Sequence, residues 1–413
     1  MNAYFASVEQ ASNPLLRGKP IAVGGGAGGK RTIVAACSYE AKAKGVKNAM
    51  PAWDAQKICP DLIMVAGDMT KYIYTSAEIM KMLREYTPLV EVFSIDEAFM
   101  DVTETEERFG GAVRIAKEIK KRIREKFRLT CSIGISYNKL MAKLAGELKK
   151  PDGLTIIKPE DVPDKLEDLP VSKLCGVGRK IEQHLDGMGI KTFGDLNRYP
   201  REKLVKRFGA VCGEQLYLMG QGRNESEVLA HNIEEEAKSM GHSYTLPKNT
   251  NDIDEVKGYF LRLAEQVGRR LRRDNYKGNV VHVSLGFTCP PKLEERRWGD
   301  YKFWGKQKKI EDYIDDGYEL YKTAEKLIDD YMEPRRLVAG SIIRFVGVSL
   351  SNLVHNADQI SLIEQKETAK KVLKSIDKIN DRWGEFTVER LATLKTMLHG
   401  KTGMVAPRTY KMI

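Results

Sequence analysis

Two adjacent carboxylates, Asp96 and Glu97, are the residues whose types and spacing point most directly to chemistry. Two like charges this close repel each other, so the pair is costly unless a cation neutralises it. Magnesium prefers hard oxygen ligands, and ions held by shared carboxylates stabilise the attacking and leaving oxygens of a displacement at phosphorus. The pair is therefore a candidate magnesium site for nucleotidyl transfer, with a solvated turn as the alternative.

The two carboxylates fall between strand-like runs at residues 89–93 and 98–102, so a strand-to-strand connection has to position them. Apolar residues at helical spacing predict helices over residues 70–87, 111–127 and 139–148. Strands mixed with helices predict an α+β catalytic core.

A glycine run, Gly24 to Gly29, lies between short strands predicted at residues 20–23 and 31–36. The run lacks the GxxxxGK[ST] pattern of a phosphate loop and favours a flexible hairpin connection instead. Residues 38–44 predict a short helix beginning at a serine, and such a helix start can receive phosphate oxygens.

A second α+β domain is predicted to begin near Lys238, after short helices broken by glycines and an acidic linker. Its predicted elements are helices over residues 255–273 and 320–332 and strands over residues 280–287 and 338–350. The tail beyond them is polar and then helical over residues 366–380, which suggests an appendage.

Composition sets the class of protein. The chain has 413 residues, too many for one compact core, so several domains are expected. Lys and Arg number 68 against 57 Asp and Glu, a net charge of +11 that favours a nucleic acid partner over an anionic membrane. No run of about 18 apolar residues and no signal-peptide pattern occur, so we expect a cytoplasmic protein.

The carboxylate pair lies within Ser94-Ile95-Asp96-Glu97-Ala98-Phe99, followed by Asp101. Three more motifs follow the same order along the chain as in one family: residues 1–9, residues 38–42 and residues 134–151. Together they resemble the Y-family translesion DNA polymerases, and most of all the bacterial DNA polymerase IV branch. The resemblance extends through a helix-hairpin-helix at residues 174–185 to about residue 350.

The resemblance assigns roles to residues of the catalytic half. Asp96 and Glu97 would hold two Mg²⁺ ions, with the backbone carbonyl of Met1 as a further ligand and Glu97 nearest the primer 3′-hydroxyl. Phe5 would be the steric gate that clashes with a ribose 2′-hydroxyl. The other nucleotide-binding residues would be Tyr4, Tyr39, Lys42 and Lys150, although the family more often has arginine where Lys42 stands.

Further motifs point to DNA and to a protein partner. Gly176, Gly178 and Lys180 would contact DNA phosphates through the helix-hairpin-helix. A basic cluster at the end of a predicted helix would track the duplex backbone or complement the helix dipole, and it comprises Arg269, Arg270, Arg272 and Arg273. The tail peptide resembles a sliding-clamp motif through Gln359, Ser361, Leu362 and Ile363, although Ile363 replaces the usual aromatic residue.

The resemblance implies a right-hand polymerase: a palm (1–10 and 69–158), fingers (11–68), a thumb (159–225), a linker (226–237), a DNA-binding little finger (238–350) and a tail (351–413). Its reaction would be template-directed, low-fidelity addition of deoxynucleotides to a primer in translesion synthesis and DNA repair. We expect a monomer that binds primer-template DNA, dNTP and the sliding clamp. The alternatives are a catalytically impaired DNA-binding or clamp-associated relative and a DNA polymerase V type catalytic subunit.

The family pattern has one position that this sequence lacks. Family members carry Val-Asp directly before the stretch that begins here at Met1, and that aspartate is their third metal-binding carboxylate. We expect this aspartate to be encoded upstream of Met1, which favours a truncated sequence over a damaged polymerase.

We predict that this chain and a form extended upstream by a strand ending in Val-Asp differ in polymerase activity. With one metal ligand absent, the chain as written should show very low activity, and the extended form should elongate a primer efficiently. Primer extension with dNTPs and Mg²⁺ measures both. An inert extended form would contradict the assignment as an enzyme.

Overall fold

The computed structural model describes residues 1–25, 32–230, 236–288, 302–332, 342–355, 364–391 and 393. The chain divides into two compact units, one built on Met1–Glu234 and the other on Glu235–Val405. Among the residues just given, no helix is both long and apolar enough to cross a membrane.

The first unit alternates helices and short strands. Its helices are α1 (Tyr4–Ser12), α2 (Tyr39–Ala43), α3 (Ala52–Ile58), α4 (Met69–Leu83), α5 (Glu106–Phe109), α6 (Ala112–Phe127), α7 (Lys139–Leu148), α8 (Val162–Lys165), α9 (Arg179–Asp186), α10 (Phe193–Arg198), α11 (Arg201–Phe208) and α12 (Ala210–Gly220). Its strands are β1 (Ile21–Gly24), β2 (Ala36–Cys37), β3 (Ile63–Ala66), β4 (Val90–Ser94), β5 (Glu97–Met100), β6 (Ile133–Ile135) and β7 (Leu154–Ile156).

Three small sheets organise these strands. β1 lies between β2 and β3, β4 pairs with β5 as an antiparallel hairpin, and β6 pairs in parallel with β7. The strand predicted at residues 31–36 is much shorter in the structure, since only Ala36–Cys37 joins a ladder there. The helices predicted over residues 70–87, 111–127 and 139–148 are confirmed as α4, α6 and α7.

Two helices support the β4–β5 hairpin. The Ser76 hydroxyl of α4 donates to the Ile95 carbonyl at 2.6 Å, so α4 fixes the turn directly before Asp96. α7 packs closely on β6 because Gly134 has no side chain: a Cβ there would lie 2.0 Å from the Ala142 carbonyl oxygen. The palm therefore holds its acidic turn between packed helices.

The second unit is an antiparallel sheet covered by helices. Its strands, β8 (Ser239–Thr250), β9 (Tyr276–Thr288), β10 (Lys302–Ile314) and β11 (Ile342–His355), lie in the order β10-β9-β11-β8. Its helices are α13 (Ile253–Arg273), α14 (Gly317–Met332) and α15 (Glu364–Trp383). Val256, Phe260 and Leu263 of α13 are fully buried against the inner face of the sheet, together with Val283 and Val346.

Sequence patterns found only part of this unit. The helices and the strands of its centre were predicted, whereas β8 and β10 were not. Both are edge strands of the sheet. β8 contains Pro247 and mostly polar residues, and β10 carries lysines on both faces, so neither shows the apolar alternation that marks a strand.

The tail was expected to be an appendage, but its helix α15 packs on the second unit. Arg272 of α13 forms two hydrogen bonds with the Asp377 carboxylate of α15, from Nε at 2.7 Å and from Nη2 at 2.9 Å. Arg390 pairs with Glu265, and the Arg262 guanidinium lies 4.0 Å from the Phe386 ring centroid. Residues up to Arg390 therefore pack on α13 as part of the second unit.

We predict that Asp377→Ala destabilises this packing by about 2 kcal/mol, because it leaves the Arg272 guanidinium, only 12% exposed, without its charged acceptor. The matched control is Asp381→Ala, whose carboxylate pairs with Arg269 but is 61% exposed, and which should cost at most about 0.5 kcal/mol. Hydrogen exchange of α13 peptides in rising urea measures the difference. Equal protection in the two variants would contradict the prediction.

Candidate active site

The Asp96 carboxylate is oriented by its own turn. Ser94 donates through its hydroxyl to Asp96 Oδ1 at 2.9 Å. The N-terminal ammonium of Met1 donates to the Asp96 backbone carbonyl at 2.7 Å and lies 3.9 Å from Oδ2. The first residue of the chain is thus next to the predicted metal ligand.

Buried Asn2 explains this position of the N-terminus. Its side chain donates to the Thr130 hydroxyl and accepts from the Ser132 hydroxyl, both at 3.1 Å, and its backbone N–H donates to the Thr130 carbonyl. Sequence analysis did not single out Asn2. The sequence offers no signal for it, because the burial of Asn2 and its partners about 130 residues away appear only in the folded chain.

Glu97 begins β5 and pairs with a lysine of α7. The Lys143 ammonium lies 2.8 Å from Glu97 Oε2, and the side chains of Lys143 and Glu97 are 20% and 31% exposed. Sequence analysis missed Lys143 as well. Its signal was its position one helical turn beyond Lys139 on the predicted helix.

The donor set suits a hard divalent cation. Asp96 and Glu97 offer carboxylate oxygens at one partly exposed turn, which are the ligands such ions prefer. Within the described part of the chain, no three or more Asp, Glu, His or Cys side chains come together as a metal cage.

Phe5 of α1 packs against α4. Its ring stacks on Tyr72 with 4.5 Å between centroids and 20° between planes. Tyr4 is buried, and its hydroxyl donates to the Tyr72 carbonyl at 2.7 Å. Tyr4 therefore lies in the core beside Phe5, and its predicted contact with a nucleotide stays a prediction.

Buried Glu9 fixes the Tyr72 side chain. The Tyr72 hydroxyl donates to Glu9 Oε1 at 2.7 Å, and Lys71 lies 2.8 Å from Glu9 Oε2. Burial, and then this carboxylate, raise the pKa of Tyr72 far above its usual value, so its hydroxyl remains a donor. The ring under Phe5 is thereby held rigidly.

Two of the three predicted triphosphate ligands, Tyr39 and Lys42, lie on α2, and the third, Lys150, follows α7. Ser38 caps α2, and the Lys42 ammonium lies 4.6 Å from the Tyr39 ring centroid. Lys150 pairs with Glu147. Burial raises the pKa of Tyr39, and the negative charge of Glu147 raises it further.

Lys120 of α6 fixes the segment that follows Lys150. Its ammonium donates to the carbonyl oxygens of Cys131, Asp152 and Gly153 and to the Asp152 carboxylate at 2.6 Å. In the sequence, Lys120 is one of several lysines within the helix predicted over residues 111–127. Only the folded chain shows that it binds a loop 32 residues away.

The predicted DNA contacts have mixed surroundings. Gly176 has a φ of +101°, and Gly178 directly precedes α9, so the predicted turn exists, with exposed Lys180 in the first turn of the helix. The arginine cluster has partners within the protein: Arg269 with Asp381, Arg270 with the Gly241 carbonyl, Arg272 with Asp377 and Arg273 with Asp274. These pairs favour a structural role, and DNA contact by the cluster stays a prediction.

The clamp-peptide residues Gln359, Ser361, Leu362 and Ile363 lie outside the described residues.

Comparisons with known proteins agree with this architecture. Residues 1–147 match the impB/mucB/samB family, residues 237–362 match its C-terminal domain, and residues 172–224 match the thumb domain of DNA polymerase iota. DNA polymerase IV of Pelotomaculum thermopropionicum is 39% identical over 95% of this chain and 94% of its own. DNA polymerase IV 1 of Bacillus subtilis is 36% identical over 96% of this chain and 92% of its own.

A solved structure shows the same fold. The Y-family DNA polymerase chimera Dbh-Dpo4(243-245)-Dbh superposes with a TM-score of 0.73 at 29% identity, covering 86% of this chain and 98% of that one.

A palm with an acidic hairpin turn, a helical thumb and a separate sheet domain together define a right-hand, template-directed polymerase. The chain belongs to the Y family of DNA polymerases, and its similar relatives carry the name DNA polymerase IV. It is therefore a multidomain translesion DNA-directed DNA polymerase that uses DNA and deoxynucleotide substrates together with divalent metal ions.

Proposed function

We propose that Asp96 and Glu97 hold two Mg²⁺ ions, with the Met1 carbonyl as a further ligand. The observation that carries the proposal is the hairpin turn, where the Asp96 and Glu97 side chains are each 31% exposed and each oriented by a separate partner. When bound, such ions stabilise negative charge on the attacking and leaving oxygens. The β4–β5 hairpin fixes the positions of Asp96 and Glu97, so their carboxylate oxygens are already oriented as ligands.

Phe5 acts in this proposal as the steric gate. The support is its stack on Tyr72, which is fully buried and hydrogen-bonded to Glu9. A ring held from behind cannot retreat from a 2′-hydroxyl, so a ribonucleotide meets a steric clash. The gate therefore excludes ribose by shape.

Tyr39, Lys42 and Lys150 bind the triphosphate. The support for this role is that α2 carries a hydroxyl and an ammonium within one turn, with the Lys42 ammonium 4.6 Å from the Tyr39 ring centroid, while Lys150 supplies a second ammonium from the segment after α7. A bound triphosphate would compete with Glu147 for the Lys150 ammonium, and the binding of nucleotide would then release a carboxylate.

In the second unit, the outer face of the sheet suits a DNA backbone better than α13 does. One row across the sheet aligns Gly305, Ser284, Gly347 and Ser243, and the next row aligns Gln307, His282, Ser349 and Gly241. The glycines and serines of these rows permit close approach, and the serines offer hydroxyl donors, while the exposed lysines of β10 supply charge at the edge.

The domain boundaries, the clamp peptide and the monomeric state are proposals that rest on the sequence. The clamp proposal uses Gln359, Ser361, Leu362 and Ile363, and a sliding clamp would be its partner. Contact of Gly176, Gly178 and Lys180 with DNA is proposed on the turn geometry before α9.

We predict that Asp96→Asn and Glu97→Gln each lower the rate of primer extension by about 10²-fold or more, because each removes a charged ligand oxygen. The matched control is Asp101→Asn in the same hairpin region, whose carboxylate accepts from the Thr103 backbone N–H and hydroxyl. Single-turnover extension is measured in this chain and in the form extended by Val-Asp. Wild-type rates in Glu97→Gln would disprove the proposed site.

We also predict that Phe5→Ala raises incorporation of ribonucleotides relative to deoxynucleotides by about 10- to 100-fold, since the ring that excludes the 2′-hydroxyl is gone. Competing rNTP and dNTP in one primer-extension assay gives the ratio. The control is Phe93→Ala, which removes an exposed aromatic residue of the hairpin. An unchanged ratio in Phe5→Ala would refute the gate.

A further inference from the structure

Helix α7 contacts the β4–β5 hairpin through two lysines one turn apart. Lys143 lies 2.8 Å from Glu97 Oε2, and its ammonium is 4.6 Å from the Phe93 ring centroid. Lys139 lies 2.8 Å from Glu91 Oε2 and 5.8 Å from the Phe99 ring centroid. Each lysine therefore binds one carboxylate and faces one aromatic ring of the same hairpin.

The opposite face of α7 keeps the lysine backbones in place. Leu140, Met141, Leu144 and Ala145 are buried, and Asn138 caps the first turn by accepting from the Met141 N–H at 2.9 Å. The two ammonium groups thus project from a fixed helix onto the hairpin. Their side chains are only 20% and 15% exposed, so water screens the ion pairs incompletely.

The two lysines differ in what their partners can do. Glu91 also accepts the Leu229 N–H at 3.0 Å, and Lys139 also donates to the Glu227 carbonyl at 2.7 Å. Lys139 and Glu91 therefore attach the chain that follows the thumb to the palm. The carboxylate that Lys143 binds is instead the proposed metal ligand.

We propose that Lys143 is a positioning residue for Glu97: it binds Oε2 and holds the carboxylate oriented at the turn before a divalent ion binds. The inference rests on the proposed role of Glu97. Without the ammonium, Glu97 would sample other rotamers beside the like-charged Asp96, and the ion would have to order it on binding.

The experiment compares Lys143→Met with Lys139→Met in the full chain bound to primer-template DNA. Mn²⁺ is the probe, and its binding is measured by electron paramagnetic resonance, independently of catalysis. Lys143→Met should raise the Mn²⁺ concentration for half-occupancy about three- to tenfold, the cost of ordering one side chain. Lys139→Met should leave it within twofold of the parent chain.

A second variant separates positioning from folding. Lys143→Arg keeps a cation beside Glu97 and should restore most of the Mn²⁺ affinity, whereas a purely structural role predicts no such rescue at equal thermal stability. Unchanged affinity in Lys143→Met overturns the inference. Tighter binding overturns it too, because Lys143 would then be a competitor of the metal ion.

Failure of the proposed function gives a different result. If Glu97→Gln binds Mn²⁺ as the parent chain does, Glu97 is not a ligand and the metal proposal fails. If Glu97→Gln loses binding while Lys143→Met retains it, only the positioning role of Lys143 fails.

Discussion

Two carboxylates on neighbouring residues repel each other, and each side chain of the Asp96–Glu97 turn is only about one-third exposed, so water cannot screen them fully. The fold answers this repulsion with a separate partner for each. The Ser94 hydroxyl holds Asp96, and the Lys143 ammonium holds Glu97. Two helices keep this arrangement in place: α4 binds the turn through Ser76, and α7 carries Lys143.

The proposed steric gate, Phe5, is also held in place by a neighbouring side chain. Phe5 is an aromatic residue on a short helix, and by itself nothing fixes its ring. Tyr72 supplies the rigid surface, because its own hydroxyl is tied to buried Glu9 and Glu9 is in turn paired with Lys71. The selection by shape that we propose for Phe5 would therefore depend on a buried polar contact behind the ring.

In the second unit, the arginine cluster that the sequence suggested for DNA binding is already paired within the protein. Arginines at the end of α13 complete an internal interface with α15 and with the chain up to Arg390. We propose instead that DNA binds the outer face of the sheet, where glycine and serine align in rows. A basic run in a sequence gives no information on which of its charges are already paired.

The sequence by itself determined the family, the α+β right-hand architecture and the acidic pair, because short motifs such as Ser94–Phe99 have a fixed spacing along the chain. It also located α4, α6, α7 and α13, whose apolar residues repeat at helical spacing. The edge strands β8 and β10 escaped detection because their residues show no such period. Only the tertiary structure decided which side chains meet: Lys143 with Glu97, Glu9 with Tyr72, Lys120 with Asp152 and Arg272 with Asp377. These partners lie between 32 and 105 residues apart, and distance along a chain does not determine distance in space until the packing of the helices and sheets has fixed it.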